Sequence, residues 1–308
     1  MNPRLSELAL EFQALQDRIC LGLEAFEAEH GGEAFVEDTW QRPGGGGGRT
    51  RVLTGGKVWE RGGVNFSEVE GEASSALKAQ MQSDAERFWA AGVSLVMHPN
   101  NPHVPIVHMN VRHFALSDGT QWFGGGIDLT PHYVCPEEAG QFHRVLKEVC
   151  DQHGCADYNA FKAEADRYFF LPHRDETRGI GGIFFDHLGR HEPTAPPWET
   201  LKSFVLAVGD SFLPCYLPLV RAKVDRPFTA QQRDWQLHRR GRYAEFNLAW
   251  DRGTRFGLES NGRTESILMS LPPEARWTYN HKPGDAERET LAWLKQGVDW
   301  VGSPIRPV

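Results

Sequence analysis

Apolar residues recur at three- and four-residue steps at Leu5, Leu8, Phe12, Leu15, Ile19, Leu23 and Phe26, which predicts an amphipathic helix over residues 4–28. Its stripe reads as ordinary core packing. From Arg49 to Thr130 the period changes. TRVLTG, KVWERGGVNFSEV, VSLVMH, VPIVHMNVRHFAL and QWFGGGIDLT read as strands, separated by glycine, proline and SDG turns, with SDG at 117–119 as a hairpin connection. Pro136 with Glu137 and Glu138 then opens a helix whose apolar face is Phe142, Val145, Leu146 and Val149. A second helix is expected over about 157–171, stopped by Pro172. RGIGGIFFDHL (178–188) returns to strand, and HEPTAPPW (191–198) is a loop. Helical patterns follow to about 222 and over 229–240. RYAEFNLAW and SILMSLP read as late strands, and DAERETLAWLKQG as a closing helix. The PGGGGG run at 43–48 is expected to form a mobile surface loop or lid, because glycine loses too much backbone freedom there to hold a regular element. Strands gathered early, helices in blocks and few βαβ alternations imply an α+β fold with a mainly antiparallel sheet. Nothing splits the chain, so residues 1–308 are read as one domain.

The stretch GVSLVMHPNNPHVPIVHMNVRHF (92–114) departs from simple amphipathic patterning. Successive side chains of a strand point to opposite faces. Val107, Met109 and Val111 therefore share one face, and His108, Asn110 and Arg112 the other. Upstream, Val93, Leu95 and Met97 alternate with Ser94, Val96 and His98. The bland reading is the wet side of an antiparallel sheet. The sharper one is the lining of a hollow, since buried polar groups need partners. WFGGGIDLTP (122–131) adds Asp128 beside Gly124–Gly126, which allow close approach of backbone or ligand. Asp128 is either a turn cap or a base or acceptor for an N–H donor.

Composition narrows the classes. The hydrophobic fraction of 40% is ordinary for a globular protein, and the 10 Trp and 18 Phe suit a wide core or a pocket for a flat ligand. A net charge of −8 argues against a general nucleic-acid binder. No run reaches the length of a membrane span and the N-terminus lacks a secretory signal, so a cytoplasmic protein is expected. The five cysteines show no CxxC and read as free thiols. His98, His108, His143 and His173 raise a metal reading, but no HxxxH or HExxH spacing joins any two of them. HRDETRGIGG (173–182) reads as a solvated charge cluster, and Arg263 as a turn arginine able to fork onto a carboxylate.

Long blocks of the chain resemble the aerobic, oxygen-dependent coproporphyrinogen III oxidases of haem biosynthesis. They are EDTWQR with the following GGGGR, GVNFSEVEGE, GVSLVMHPNNPHVPIVHMNVRHF, WFGGGIDLTPHY, HRDETRGIGGIFFDHL, RRGRYAEFNLAWDRGTRFGL and GRTESILMSLPP, covering most of residues 33–279. The resemblance implies a large antiparallel sheet flanked by helices on both sides, and a homodimer joined through about 243–278. It implies conversion of two propionates of coproporphyrinogen III to vinyl groups, giving protoporphyrinogen IX, with O2 as co-substrate and CO2 and H2O2 released. It carries substrate contacts onto Ser94, Asn110, Val111, Arg112, Asn261, Gly262 and Arg263, with Asn261 standing where glycine is common. His108 matches the proton donor, and Asp128 the acid set against pyrrole N–H groups. His98, His108, His143 and His173 match a divalent-metal set, usually manganese, although other members need neither metal nor organic cofactor. Two rivals remain from the residues themselves: a non-catalytic tetrapyrrole carrier and a His-ligated metal oxygenase.

Overall fold

The computed structural model describes residues 3–190, 195–259, 262–302 and 304. Helix α1 (Pro3–Glu29) leads into strands β1 (Val36–Gln41), β2 (Gly46–Thr54) and β3 (Trp59–Glu72). A short helix, α2 (Ser75–Met81), precedes β4 (Arg87–Pro99), β5 (Ile106–Leu116) and β6 (Gln121–Thr130). Helices α3 (Pro136–Asp151) and α4 (Tyr158–Tyr168), then the two-residue strands β7 (Phe170–Leu171) and β8 (Glu176–Thr177), lead to β9 (Gly182–Leu188). Helices α5 (Trp198–Asp210), α6 (Phe212–Arg221), α7 (Ala230–Ala249), α8 (Arg252–Glu259), α9 (Thr264–Leu268) and α10 (Asp285–Trp293) complete the chain. The main sheet has seven strands in the order β1-β2-β3-β4-β5-β6-β9, antiparallel throughout. The expected α+β class and antiparallel sheet are what the chain adopts.

The alternation read from sequence decides the two faces. Val93, Leu95, Met97, Val107, Met109 and Val111 join one cluster with Leu8, Phe12, Leu15, Ile19, Leu23 and Phe26 of α1 and with Leu201, Phe204, Val208 and Leu219 of α5 and α6. Close approach of α1 to these helices depends on small residues: a Cβ on Gly209 would stand 2.4 Å from Leu15, and one on Gly22 2.5 Å from Leu213. The opposite face is covered only in part. Val96 and Ile106 pack on Tyr243 of α7, and Phe184 packs with Ala165, Phe169 and Phe246. Trp198–Arg221 is the one stretch among the described residues long and apolar enough to cross a membrane, and more than half of it is buried in the core.

Four expectations fail for physical reasons. Of the expected 43–48 loop only residues 43–45 turn; Gly46–Gly48 lie in β2, all three paired to β3 and Gly47 and Gly48 also to β1. At Gly48 a Cβ would stand 2.4 Å from the Trp40 ring, so glycine here permits the close hairpin. RYAEFNLAW is not a strand: α7 runs through it, because Arg239, Tyr243, Phe246 and Asn247 form one buried helical face. SILMSLP begins in α9 and ends in turns. Finally, the 178–188 strand starts only at Gly182. β1 and α2 were not expected; α2 is started by Ser74, whose hydroxyl accepts from the Leu77 N–H at 3.2 Å. Residues 191–194 of the expected HEPTAPPW loop lie outside the described residues.

Candidate active site

Strand register builds the site. Ser94 stands opposite Asn65 on one side and Asn110 on the other, and Asn110 stands opposite Gly126. The neighbouring rows place Val96, His108, Asp128 and Gly182 in line, and Gly92, Arg112 and Gly124 in line. Ser94, His108, Asn110 and Arg112 are all half-buried, on the less covered face of the sheet. Ser266 of α9 walls one flank: its hydroxyl meets Thr50 Oγ1 at 2.8 Å, and its carbonyl accepts from Asn65 Nδ2 at 2.8 Å. The result is a half-buried polar patch spanning three adjacent strands on the less covered face of the sheet.

Beside that patch, on the same face and covered by α7, lies a buried ion pair. Asp128 is 1% exposed and Arg178 2%. Arg178 donates from Nη2 to both carboxylate oxygens at 2.7 and 2.8 Å, from Nε at 3.2 Å, and from Nη1 to Asn247 Oδ1 at 2.9 Å. The guanidinium lies 4.4–4.6 Å from the ring centroids of Phe169, Tyr243 and Phe246. Such an aromatic cage stabilises a dehydrated cation. Burial pushes the Asp128 carboxyl up, but the Arg178 charge and the His108 hydrogen bond outweigh it and hold the group below its ordinary value. His108, whose side chain is 22% exposed, stands next to it across the β5–β6 ladder, with Nδ1 at 2.8 Å from Asp128 Oδ1. An ionised carboxylate only accepts, so Nδ1 carries the proton and Nε2 points away from Asp128. Asp128 was expected to meet a ligand directly. In the fold it is behind His108, with both oxygens occupied.

Arg112 is 35% exposed and held at two points: Nη1 donates to Asn110 Oδ1 at 2.7 Å and Nη2 lies 3.0 Å from Asp186 Oδ1. Gly124 leaves the room this pair needs, since a Cβ there would stand 2.8 Å from both Arg112 and Asp186. Arg178, Asp186 and Asn65 were missed as site residues. Alternation along GIFFDHL puts Asp186 on the face of Phe184 and was the available signal. Arg178 was visible only as one member of a charge cluster, which the fold splits: Arg178 and Glu176 are buried, while Asp175 is exposed.

Other expected contacts fall elsewhere. Val111 is 0% exposed within the core on the opposite face, so its side chain lines no hollow. Arg263 pairs with Asp38 of β1, at the far edge of the sheet. From β1 to β5 is four strand spacings, about 19 Å. Gly262 donates its N–H to the Gly257 carbonyl at 2.8 Å, and Asn261 lies outside the described residues.

The four histidines do not fit a shared metal. Among the described residues no three His, Cys, Asp or Glu side chains gather into a metal-holding group. His143 is saturated: the Tyr158 hydroxyl reaches Nδ1 at 2.9 Å and Nε2–H donates to the Ile180 carbonyl at 3.0 Å. His98 donates to the Ser270 carbonyl at 2.8 Å, and His173 is held by Glu245 at 2.8 Å and Trp250 at 3.2 Å. Burial lowers both His98 and His143 to about 3, which keeps them neutral as hydrogen-bonding core residues. Compared with known protein families, the chain matches one family model, described as coproporphyrinogen III oxidase, over residues 7–300.

Proposed function

Since the chain belongs to the coproporphyrinogen III oxidase family of oxygen-dependent oxidoreductases in haem biosynthesis, we propose that it oxidatively decarboxylates two of the four propionates of coproporphyrinogen III to give protoporphyrinogen IX. Each turn is written R–CH2–CH2–COO⁻ + O2 + H⁺ → R–CH=CH2 + CO2 + H2O2. The β-hydrogen leaves with its bonding pair and oxygen accepts those two electrons, while the pair of the broken C–COO⁻ bond stays behind as the new C=C bond and CO2 departs.

The observation that carries this reading is the convergence of Ser94, His108, Asn110 and Arg112 on one half-buried sheet face, with the Asp128–Arg178 pair beside them on that face. Arg112 binds a propionate by charge-assisted hydrogen bonds, each worth roughly 1.5–3 kcal/mol. Ser94 and Asn110 supply polar contacts to the ring periphery. His108 gives the balancing proton from Nε2, and Asp128 fixes its tautomer and stabilises the imidazolium that donates. Arg178 keeps Asp128 ionised. Asp128 is thus a positioning residue, with direct contact to pyrrole N–H groups requiring the Arg178 pair to open. The reduced macrocycle is electron-rich, so the reading uses no organic cofactor; the histidine set gives no support to a resident manganese ion.

The protein is read as a homodimer joined through about 243–278, which the exposed Leu248, Trp250, Leu258 and Trp277 support. Five free thiols suit a cytoplasmic setting. The test is to incubate the pure protein with coproporphyrinogen III in air, with and without chelator, and to follow vinyl products and peroxide. Turnover insensitive to chelation is the expected result. Binding without oxygen consumption identifies a carrier, and activity lost on chelation and restored by a divalent ion identifies a metal oxygenase.

A further inference from the structure

We infer that Asp186 is the internal counter-ion of the carboxylate pocket: it weakens ground-state binding of the reacting propionate at Arg112 and keeps Arg112 paired once that propionate has left as CO2. The inference rests on the proposed role of Arg112 as a propionate ligand. Asp186 reaches Arg112 Nη2 at 3.0 Å from β9, while Asn110 takes Nη1 at 2.7 Å from β5 itself. Each partner occupies one N–H on its nitrogen. A guanidinium has five, so donors remain for an incoming carboxylate. Asp186 is itself anchored, because Oδ1 accepts the His187 N–H at 3.0 Å, and its side chain is only 22% exposed. Burial pushes its carboxyl up, but the charges of Arg112 and His187 and the His187 N–H bring it below the ordinary value.

An acid beside an anion site is costly unless the anion is to be destroyed. The Arg112–Asp186 pair carries one positive and one negative charge. Binding a propionate adds an uncompensated negative charge; turnover clears it, because the carbon leaves as neutral CO2 and the charge passes to the reduced oxygen, which the His108 proton neutralises as H2O2. Asp186 changes no covalent bond; it makes the charge-losing step favourable relative to the bound substrate. Interactions that destabilise the bound ground state but not the transition state raise KM and kcat together.

Asp186→Asn keeps an acceptor for Arg112 and for the His187 N–H while removing the charge. The variant is expected to bind coproporphyrin, the oxidised and unreactive tetracarboxylate, about tenfold more tightly, with KM and kcat for coproporphyrinogen both lower by a similar factor. Unchanged or weaker binding, or a raised KM at constant kcat, overturns the inference. A measurement on the unmodified protein covers the case of a variant that does not fold. With Asp186 cancelling Arg112, the tetracarboxylate and the divinyl dicarboxylate porphyrin should differ in Kd by less than about tenfold, and a gap above about a hundredfold overturns the inference. Arg112→Ala separates the two levels. If it leaves coproporphyrin affinity untouched, the propionate reading itself falls; if it weakens binding while Asp186→Asn has no effect, only the role of Asp186 falls.

Discussion

A carboxylate that is 1% exposed and fixed by a bidentate arginine cannot easily leave its position. The energetics at this scale follow from which partner is removed. Asp128→Asn retains shape but weakens the hold on the His108 tautomer and on its imidazolium. Turnover should fall by about a hundredfold or more while coproporphyrin affinity stays within a few-fold. Steady-state kinetics beside a binding titration check this, and full activity in the variant removes Asp128 from the mechanism. Arg178→Met leaves Asp128 buried without its cation, and chemical denaturation should show a loss of about 3–5 kcal/mol. A loss within a few tenths of a kcal/mol would mean that water compensates Asp128. The His/Asn/Arg face and Asp128 were legible in the sequence because a strand alternates with period two. The ion pairing was not, since Arg178 is 50 residues from Asp128 and nothing local joins them.

At the scale of elements, α1 and the early strands follow from periodicity alone, because apolar spacing and burial coincide. Leu15 is 0% exposed and packs over Gly209 of α5. Leu15→Ala should cost about 2–5 kcal/mol, measured by denaturant midpoint, and a loss below about 1 kcal/mol would mean that α5 closes the cavity. The β1–β2 hairpin makes the opposite demand. Gly48→Ala pushes a methyl group toward the Trp40 ring and the Phe66 carbonyl, and should destabilise by about 1–3 kcal/mol. A neutral effect would show that the β1 edge moves freely. The misread segments share a cause. RYAEFNLAW fits both periods over nine residues, and its helical outcome depends on Arg178, Phe169 and Val96 outside the segment.

Across the whole molecule, neutral buried histidines set the response to acid. Burial lowers His98 and His143 to about 3 and His113 to about 4, against an ordinary value of 6.5. For each, the unfolded chain binds the proton first. The stability they contribute is complete above pH 6.5 and is lost as pH falls toward those lower values. At pH 5 the loss is about 2 kcal/mol for each fully buried ring, so Tm should fall between pH 7 and 5. A flat profile over that window would mean these rings are neutral in neither state or solvated in both. The chain's own order of residues determined the antiparallel sheet, its apolar and polar faces and the side chains along β5, because those depend on neighbours two to four positions apart. Tertiary structure alone decided that Asp128 lies behind His108, that Asp186 meets Arg112, and that the four histidines stand apart. Those outcomes depend on strand order and helix placement, which bring together groups that are remote along the chain and carry no mutual signal within it.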